Sequence, residues 1–388
     1  MNNKFFPANF MFIMMMFMGT IMSLSSSHWL MMWMGLELNL MGILPLMNIK
    51  SKNFEIESSM KYFIIQSMSS SLFIMSSIFM YLSSISMLSM FNYSLFSSIM
   101  NISLLIKLGS APFHFWLPAM CKQMSWMMLF LILTWQKLAP LFMLSFINYN
   151  YVIMIMSSIT SSILGSIQAI NQSSLQLIMV YSSITHLGWM LSTCFLNNSL
   201  MLIYLLIYST IILPLFISFY KNSSFFTYSL TEQNNHMNKE NIFIMSLILS
   251  LSGMPPMLGF LSKLMVLNFL LKMNMILLSL LLFIGTLISL YFYLNLMMMM
   301  MIKSYFMFKT NMMNMMNMKS IMCINMFSTI IFIPMILYAM NIFHKSQSYW
   351  HIMFHFRNLI SITSNLLKFN NSYSISTTSI FTKWWSIM

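Results

Sequence analysis

Apolar runs of roughly 18 to 25 residues recur along nearly the whole chain, separated by short polar loops. A hydrocarbon core of ~30 Å is crossed by about 20 such residues as a helix, because the backbone must satisfy its own hydrogen bonds there. About eleven runs meet that description: 10–24, 28–47, 59–82, 91–118, 125–147, 151–170, 174–195, 200–220, 241–271, 275–302 and 321–343. The pattern therefore predicts an all-α polytopic membrane protein, with a transmembrane domain over 1–343 and a different kind of segment over 344–388. In that tail, Trp350, Trp384, Trp385, Arg357, Lys368 and Lys383 suit a headgroup layer, which predicts an interfacial helix followed by a Ser/Thr-rich loop.

Composition sharpens this picture by exclusion. Of the 388 residues 59% are hydrophobic and 6% charged, too few charges to cover a soluble surface. All five acidic residues are Glu, which leaves no material for acidic metal cages or paired-carboxylate catalysis. The net charge of +13 is scattered between apolar runs rather than clustered, so the expected partner is phospholipid and not nucleic acid. Cys121, Cys194 and Cys323 lie far apart and cannot supply four ligands to zinc or an iron–sulfur cluster, and no glycine-rich nucleotide loop occurs. No cofactor or metal is expected in this chain. The scarcity of Val and Ala beside 53 Met reads as the codon bias of an A/T-rich organellar genome.

If the eleven spans alternate, Lys4, Lys50, Lys52, Lys61, Lys122, Lys221, Lys239, Lys303, Lys309 and Lys319 share the N-terminal side, and the opposite loops hold Lys272. The positive-inside rule then puts the N-terminus in the inner compartment and the tail outside.

Four ionisable residues break the pattern by falling inside spans: Glu37, Lys107, Lys137 and Lys263. A charge at a helix centre costs about 2.5 to 3.5 kcal/mol on insertion scales, and such residues normally mark ion pathways. Snorkelling does not account for Lys107, which lies 16 residues from one end of its span and 11 from the other. Three of the four stand beside helix breakers. Pro112 frees the Leu108 carbonyl in Lys107-Leu108-Gly109-Ser110-Ala111-Pro112, Pro255 and Pro256 free those of Leu251 and Ser252, and Pro140 follows Lys137. Two discontinuous helices, each with an intramembrane lysine, point to inverted repeats around a midplane site. His114 and His186 are candidate proton relays; the many Ser, with Gln66, Gln136 and Asn39, read as interhelical hydrogen-bonding groups, and Trp116 as an interface anchor. His351 and His355 have metal-ligand spacing but no third ligand nearby.

Taking a lysine out of water disfavours its charged form, and a carboxylate nearby opposes that. At ~6 Å and an effective dielectric of ~20 the pair is worth about 3 kcal/mol, so moving Glu37 relative to Lys107 would switch whether the lysine holds its proton.

The motifs Gly35-Leu36-Glu37-Leu38-Asn39-Leu40, Lys107 to Trp116, Thr134 to Pro140, Ser183 to Trp189 and Gly253 to Lys263 together resemble the NADH-ubiquinone oxidoreductase chain 2 family, antiporter-like subunits of mitochondrial respiratory complex I. The resemblance runs in order from about residue 10 to 343. It implies two inverted five-helix repeats, each with a broken helix, and a hydrophilic axis of Glu37, Lys107, Lys137 and Lys263. It further implies a subunit of the inner mitochondrial membrane that translocates protons, with its N-terminus in the matrix and its C-terminus in the intermembrane space. FMN, iron–sulfur clusters and ubiquinone would belong to partner subunits, and neighbouring antiporter-like subunits would be among the membrane partners. Ala119 departs from the family, which often has Glu after the proline equivalent to Pro118. A stand-alone cation/proton antiporter is the alternative reading and a structural scaffold a third.

Overall fold

A computed structural model describes residues 6–49, 52–85, 90–146, 150–194, 196–221, 239–255 and 257–308. The predicted eleventh span (321–343) and the tail with its interfacial helix, His351 and His355 lie outside the described residues. Among the described residues thirteen helical segments follow one another: α1 Phe6–Ser25, α2 Trp29–Met47, α3 Asn53–Ile85, α4 Met90–Leu108, α5 Trp116–Cys121, α6 Trp126–Leu133, α7 Trp135–Phe146, α8 Tyr151–Ile170, α9 Leu175–Cys194 and α10 Asn198–Lys221, then α11 Lys239–Ser252, α12 Leu258–Lys272 and α13 Ile276–Phe308. They match the first ten predicted spans once α4 with α5, α6 with α7, and α11 with α12 are each taken as one interrupted crossing. Among the described residues, seven spans are long and apolar enough on their own to cross a membrane: α1, α2, α3, the α6–α7 pair, α8, α10 and α13.

On α3 and α8 small polar residues turn inward and many apolar ones outward, the reverse of the pattern in a soluble bundle. On α8, Ser157, Ser158, Ser161, Ser162 and Ser166 face inward while Val152, Met156 and Ile167 face outward. On α3, Ser69, Ser76 and Gln66 are buried while Met60, Met68 and Met75 are exposed. Lipid tails are as apolar as Met or Ile, so burying these side chains against each other gains little, and small residues at the contacts let backbones approach. The serines solve their own polarity: Ser69 Oγ donates to the Gln66 carbonyl at 2.8 Å and Ser158 Oγ to that of Ile155 at 2.8 Å. From sequence the serines are expected to bond between helices; instead most described serine hydroxyls donate to the carbonyl three residues back in their own helix, which satisfies the hydroxyl without a partner helix.

α9 is the exception that organises the rest. Every residue of it except Leu177 and Tyr181 is buried. It packs against α8, α10, α12, α13, α5, α6 and α7. A helix enclosed on all sides has no lipid-facing stripe to keep apolar, and α9 accordingly carries Gln176, Ser182, Ser183, Thr185, His186, Ser192 and Thr193 in the protein interior.

A buried Lys and Tyr track as candidate functional site

Both predicted interruptions are present, and both are built by the same device. α4 ends with Gly109 at φ +68, whose N–H donates to the Ile106 carbonyl (3.1 Å) while Ser110 N–H donates to Leu105 (3.2 Å). α11 ends with Gly253 at φ +82, whose N–H donates to Ser250 (3.2 Å) while Met254 N–H donates to Leu249 (3.4 Å). This paired pattern is the Schellman cap, and its left-handed residue is tolerated without strain by glycine. The prolines then keep the chain from resuming the helix at once.

The remaining carbonyls of each broken end need donors, and here the two differ. At α4, Trp116 Nε1 donates to Ile106 O (3.2 Å) and Gln66 Nε2 to Lys107 O (3.2 Å). Trp116 is thus 9% exposed and seals the break, a correction to its expected role as an interface anchor. At α11, Lys263 Nζ reaches back from α12 and donates to Ser252 O at 2.9 Å, filling one of the carbonyls that the prolines were expected to free.

The four predicted charges are not equivalent. Lys107, Lys137 and Lys263 are 8%, 2% and 7% exposed, so all three are interior cations. Lys107 occupies the last turn of α4 and, among the described residues, its ammonium has no hydrogen bond. Lys137 Nζ donates to Ser183 O on α9 (3.2 Å) and stands over the Tyr208 ring, 5.7 Å from its centroid. Glu37 is half-buried, on the α2 stripe of exposed Leu30, Met34 and Met41. It acts on Lys107 through space, yet the two form no ion pair within 4.0 Å; the one ion pair among the described residues is Lys61–Glu57 at the surface.

Lys107 and Lys137 line one cavity, with room for about a single water. Its polar wall comes from residues expected only to bridge helices: Gln136 Nε2 donates to Asn39 Oδ1 (2.9 Å), the Tyr62 hydroxyl to Gln136 Oε1 (3.5 Å), and Gln66 lies alongside. The sequence singled out Gln66, Gln136 and Asn39 but missed Tyr62, because a tyrosine in an apolar run gives no signal until its hydroxyl is seen to point inward.

His186 lies on the other side of Lys137. Its Nδ1 and the Tyr204 hydroxyl are 2.9 Å apart, its ring is 5.0 Å from that of Tyr208, and the Leu251 carbonyl at the second broken end is within its reach. Lys137 and Lys263 are both close enough to act on it electrostatically. The structure therefore brings Lys137, Tyr208, His186, Tyr204 and Lys263 into one neighbourhood. His114 is elsewhere: it is 1% exposed in the loop after α4, with Nε2 2.7 Å from Gln168 Oε1 on α8 and Nδ1 unpartnered among the described residues. It does not line the cavity with Lys107 and Lys137.

Comparison with known proteins supplies the family of the chain that carries this interior. The membrane-domain family described as NADH:quinone oxidoreductase/Mrp antiporter matches residues 26–289. NADH-ubiquinone oxidoreductase chain 2 of Anopheles gambiae is 39% identical over 265 residues, 67% of this chain and 76% of that one. In fold, the chain is similar to a chain of respiratory complex I from Thermus thermophilus solved with bound aureothin (TM-score 0.65, 22% identity, 73% of this chain and 68% of that one). It is likewise similar to a chain of the Mrp complex from Dietzia sp. DQ12-45-1b (TM-score 0.61, 15% identity, 72% of this chain and 57% of that one). With the family's domain covering most of the sequence and a relative 39% identical over 67% of it, the chain belongs to the NADH:quinone oxidoreductase/Mrp antiporter family, among its NADH-ubiquinone oxidoreductase chain 2 members.

Proposed function

We propose that protons move through this subunit along Glu37, Lys107, Lys137 and Lys263, with Lys137 as the carrier shared by the two halves. The chain is a proton-translocating membrane subunit of NADH:ubiquinone oxidoreductase, respiratory complex I, and works beside other membrane subunits of that assembly. The observation that carries the reading is the position of Lys137. It shares a water-sized cavity with Lys107 on one side and shares Tyr208 with His186 on the other. A lysine held by one backbone carbonyl in a protein interior pays for its charge only partly, and gaining or losing a proton there is coupled to any charge that approaches.

In this reading electrons pass through FMN, iron–sulfur clusters and ubiquinone held by partner subunits, and this chain converts the resulting rearrangement into proton movement. His186 relays between Lys137 and Lys263, and His114 serves the first break from the α8 side. The N-terminus faces the matrix and the C-terminus the intermembrane space of the inner mitochondrial membrane, which the lysine asymmetry of the loops supports. Protease added to the outer face of mitoplasts should then spare the loop around Lys122; cleavage there would reverse the orientation.

Lys137→Met keeps most of the side-chain length and removes the titratable group. We expect the complex to assemble and NADH-driven proton transport to fall on the order of 10²-fold, the low end of what a positioned proton-transfer group contributes. Full transport in a correctly assembled Lys137→Met complex would rule out the carrier.

A further inference from the structure

The span that carries Lys137 is interrupted as well, at a point that no glycine or proline marks. α6 ends at Leu133 and α7 begins at Trp135. The residue at the joint is Thr134, 4% exposed, with φ −118 and ψ −68 in place of helical values near −63 and −42. Its N–H donates to the Phe130 carbonyl at 3.0 Å and its hydroxyl to the same oxygen at 2.6 Å. Lys137 N–H then donates to the Thr134 carbonyl, three residues back rather than four, at 3.2 Å. A threonine hydroxyl bonded four residues back often bends a helix. Thr160 makes the same bond to Met156 O (2.8 Å) within an unbroken α8, so the hydroxyl alone does not part a helix.

The use of the joint is visible in the three residues after it. Trp135 meets Phe17 of α1 edge-on with ring centroids 4.5 Å apart, Gln136 Nε2 donates to Asn39 Oδ1 of α2 (2.9 Å), and Lys137 Nζ donates to Ser183 O of α9 (3.2 Å). Successive helical positions step by about 100°, so these consecutive residues engage three different neighbours. Before the joint, Trp126 packs on Phe216 and Phe219 of α10, with ring centroids 5.3 and 4.9 Å away. α6 and α7 thus answer to different partners, and the bend at Thr134 lets both be satisfied. Beyond Lys137, Pro140 offers no N–H to the Gln136 carbonyl, so the helix is weakened on both sides of the lysine. Ile132, Gln136, Lys137 and Pro140 all line the cavity shared with Lys107.

We propose that Thr134 is a positioning residue for Lys137: its hydroxyl on Phe130 O sets the bend of α6 against α7, and that bend aims the Lys137 ammonium between the cavity and Ser183 O. The inference rests on Lys137 as the carrier proposed above and names what holds that carrier in place. Lys137 stands about 4.5 Å along the helix from the joint, so a change of roughly 10° there displaces it on the order of 1 Å. A misplacement of that size costs up to ~10²-fold in a transfer that depends on alignment.

Two substitutions separate the hydroxyl from the shape of the side chain. Thr134→Val keeps the branched shape and loses the donor, whereas Thr134→Ser keeps the donor and loses a methyl. In assembled complex we expect Thr134→Val to lower NADH-driven proton transport about tenfold and Thr134→Ser to stay within about twofold of the parent. The solvent deuterium isotope effect on turnover should rise in the valine variant, because proton transfer becomes limiting, and return to the parent value with serine. A residue that merely packs would give the opposite order, valine parent-like and serine impaired. That order, parent-like transport in both variants, or equal losses in both would overturn the proposal. Lys137→Met tells the two failures apart. If it is inactive while Thr134→Val is normal, the positioning role alone fails; if it is normal too, the carrier reading fails. Should Thr134→Val not assemble, a density map of the parent complex decides: the Thr134 hydroxyl on Phe130 O at an interrupted helix supports the role, and a helix running unbroken through residue 134 overturns it.

Discussion

The two helix breaks end alike and are sealed differently. At the first, the seven residues 109–115 separate α4 from α5, and the broken end is closed by neutral donors, Trp116 and Gln66. At the second, the five residues 253–257 separate α11 from α12, and the donor at the broken end is Lys263 itself. The first arrangement leaves the Lys107 ammonium without a hydrogen bond among the described residues, beside a cavity and under the influence of Glu37. The second ties a lysine to backbone. The difference teaches that a shared backbone device does not fix the chemistry: the lysine in the first half can respond to a distant carboxylate, while the one in the second must first give up a charge-assisted bond.

The sharpest way to break this comparison is through backbone contact. A β-carbon on Gly259 would run into the Ser250 carbonyl oxygen, at the point where α12 crosses the end of α11. A β-carbon on Gly109 would meet chiefly the movable tip of Leu117, although its φ of +68 adds left-handed strain on the order of 1 to 2 kcal/mol. Gly259→Ala should therefore destabilise or prevent assembly, and Gly109→Ala should assemble with a modest loss of thermal stability. Native gels and melting curves of the two variants check this, and equal tolerance would mean that the second break is no tighter than the first.

A smaller effect, confined to the first half, is expected from Glu37. Its carboxylate acts on Lys107 at a distance, so Glu37→Gln should lower proton transport while leaving assembly and the Lys263–Ser252 contact intact. Glu37→Asp keeps the charge and should show the milder defect. The Coulomb scale is about 3 kcal/mol at ~6 Å and an effective dielectric of ~20, which bounds the loss at roughly a hundredfold. Turnover and proton transport of both variants decide: Gln equal to the parent with Asp impaired would mean that Glu37 serves packing, and the contrast between a responsive and a tethered lysine would go.

The sequence by itself determined that this is a bundle of membrane helices, because apolar length and the need to satisfy the backbone internally leave no other solution. It also determined where two helices break, since Gly109 before Pro112 and Gly253 before Pro255 are local steric instructions, and that Lys107, Lys137 and Lys263 are interior, since their distance from the ends of their spans is a matter of counting. Tertiary structure decided who meets whom. Trp116 as a seal, Tyr62 on the cavity, and Tyr208 between Lys137 and His186 depend on how α3, α5, α7, α9 and α10 rotate about their axes and pack, and no local pattern sets that rotation. In a soluble helix an apolar stripe would reveal the inner face; here lipid and interior are both acceptable to Met, Phe and Tyr, so the facing of an aromatic residue is fixed only when small residues let neighbouring backbones close around it. Glu37 shows the same limit from the other side: its depth was legible in the chain, whereas its half-buried place on an outward stripe of α2, apart from Lys107, follows from the packing of that helix alone.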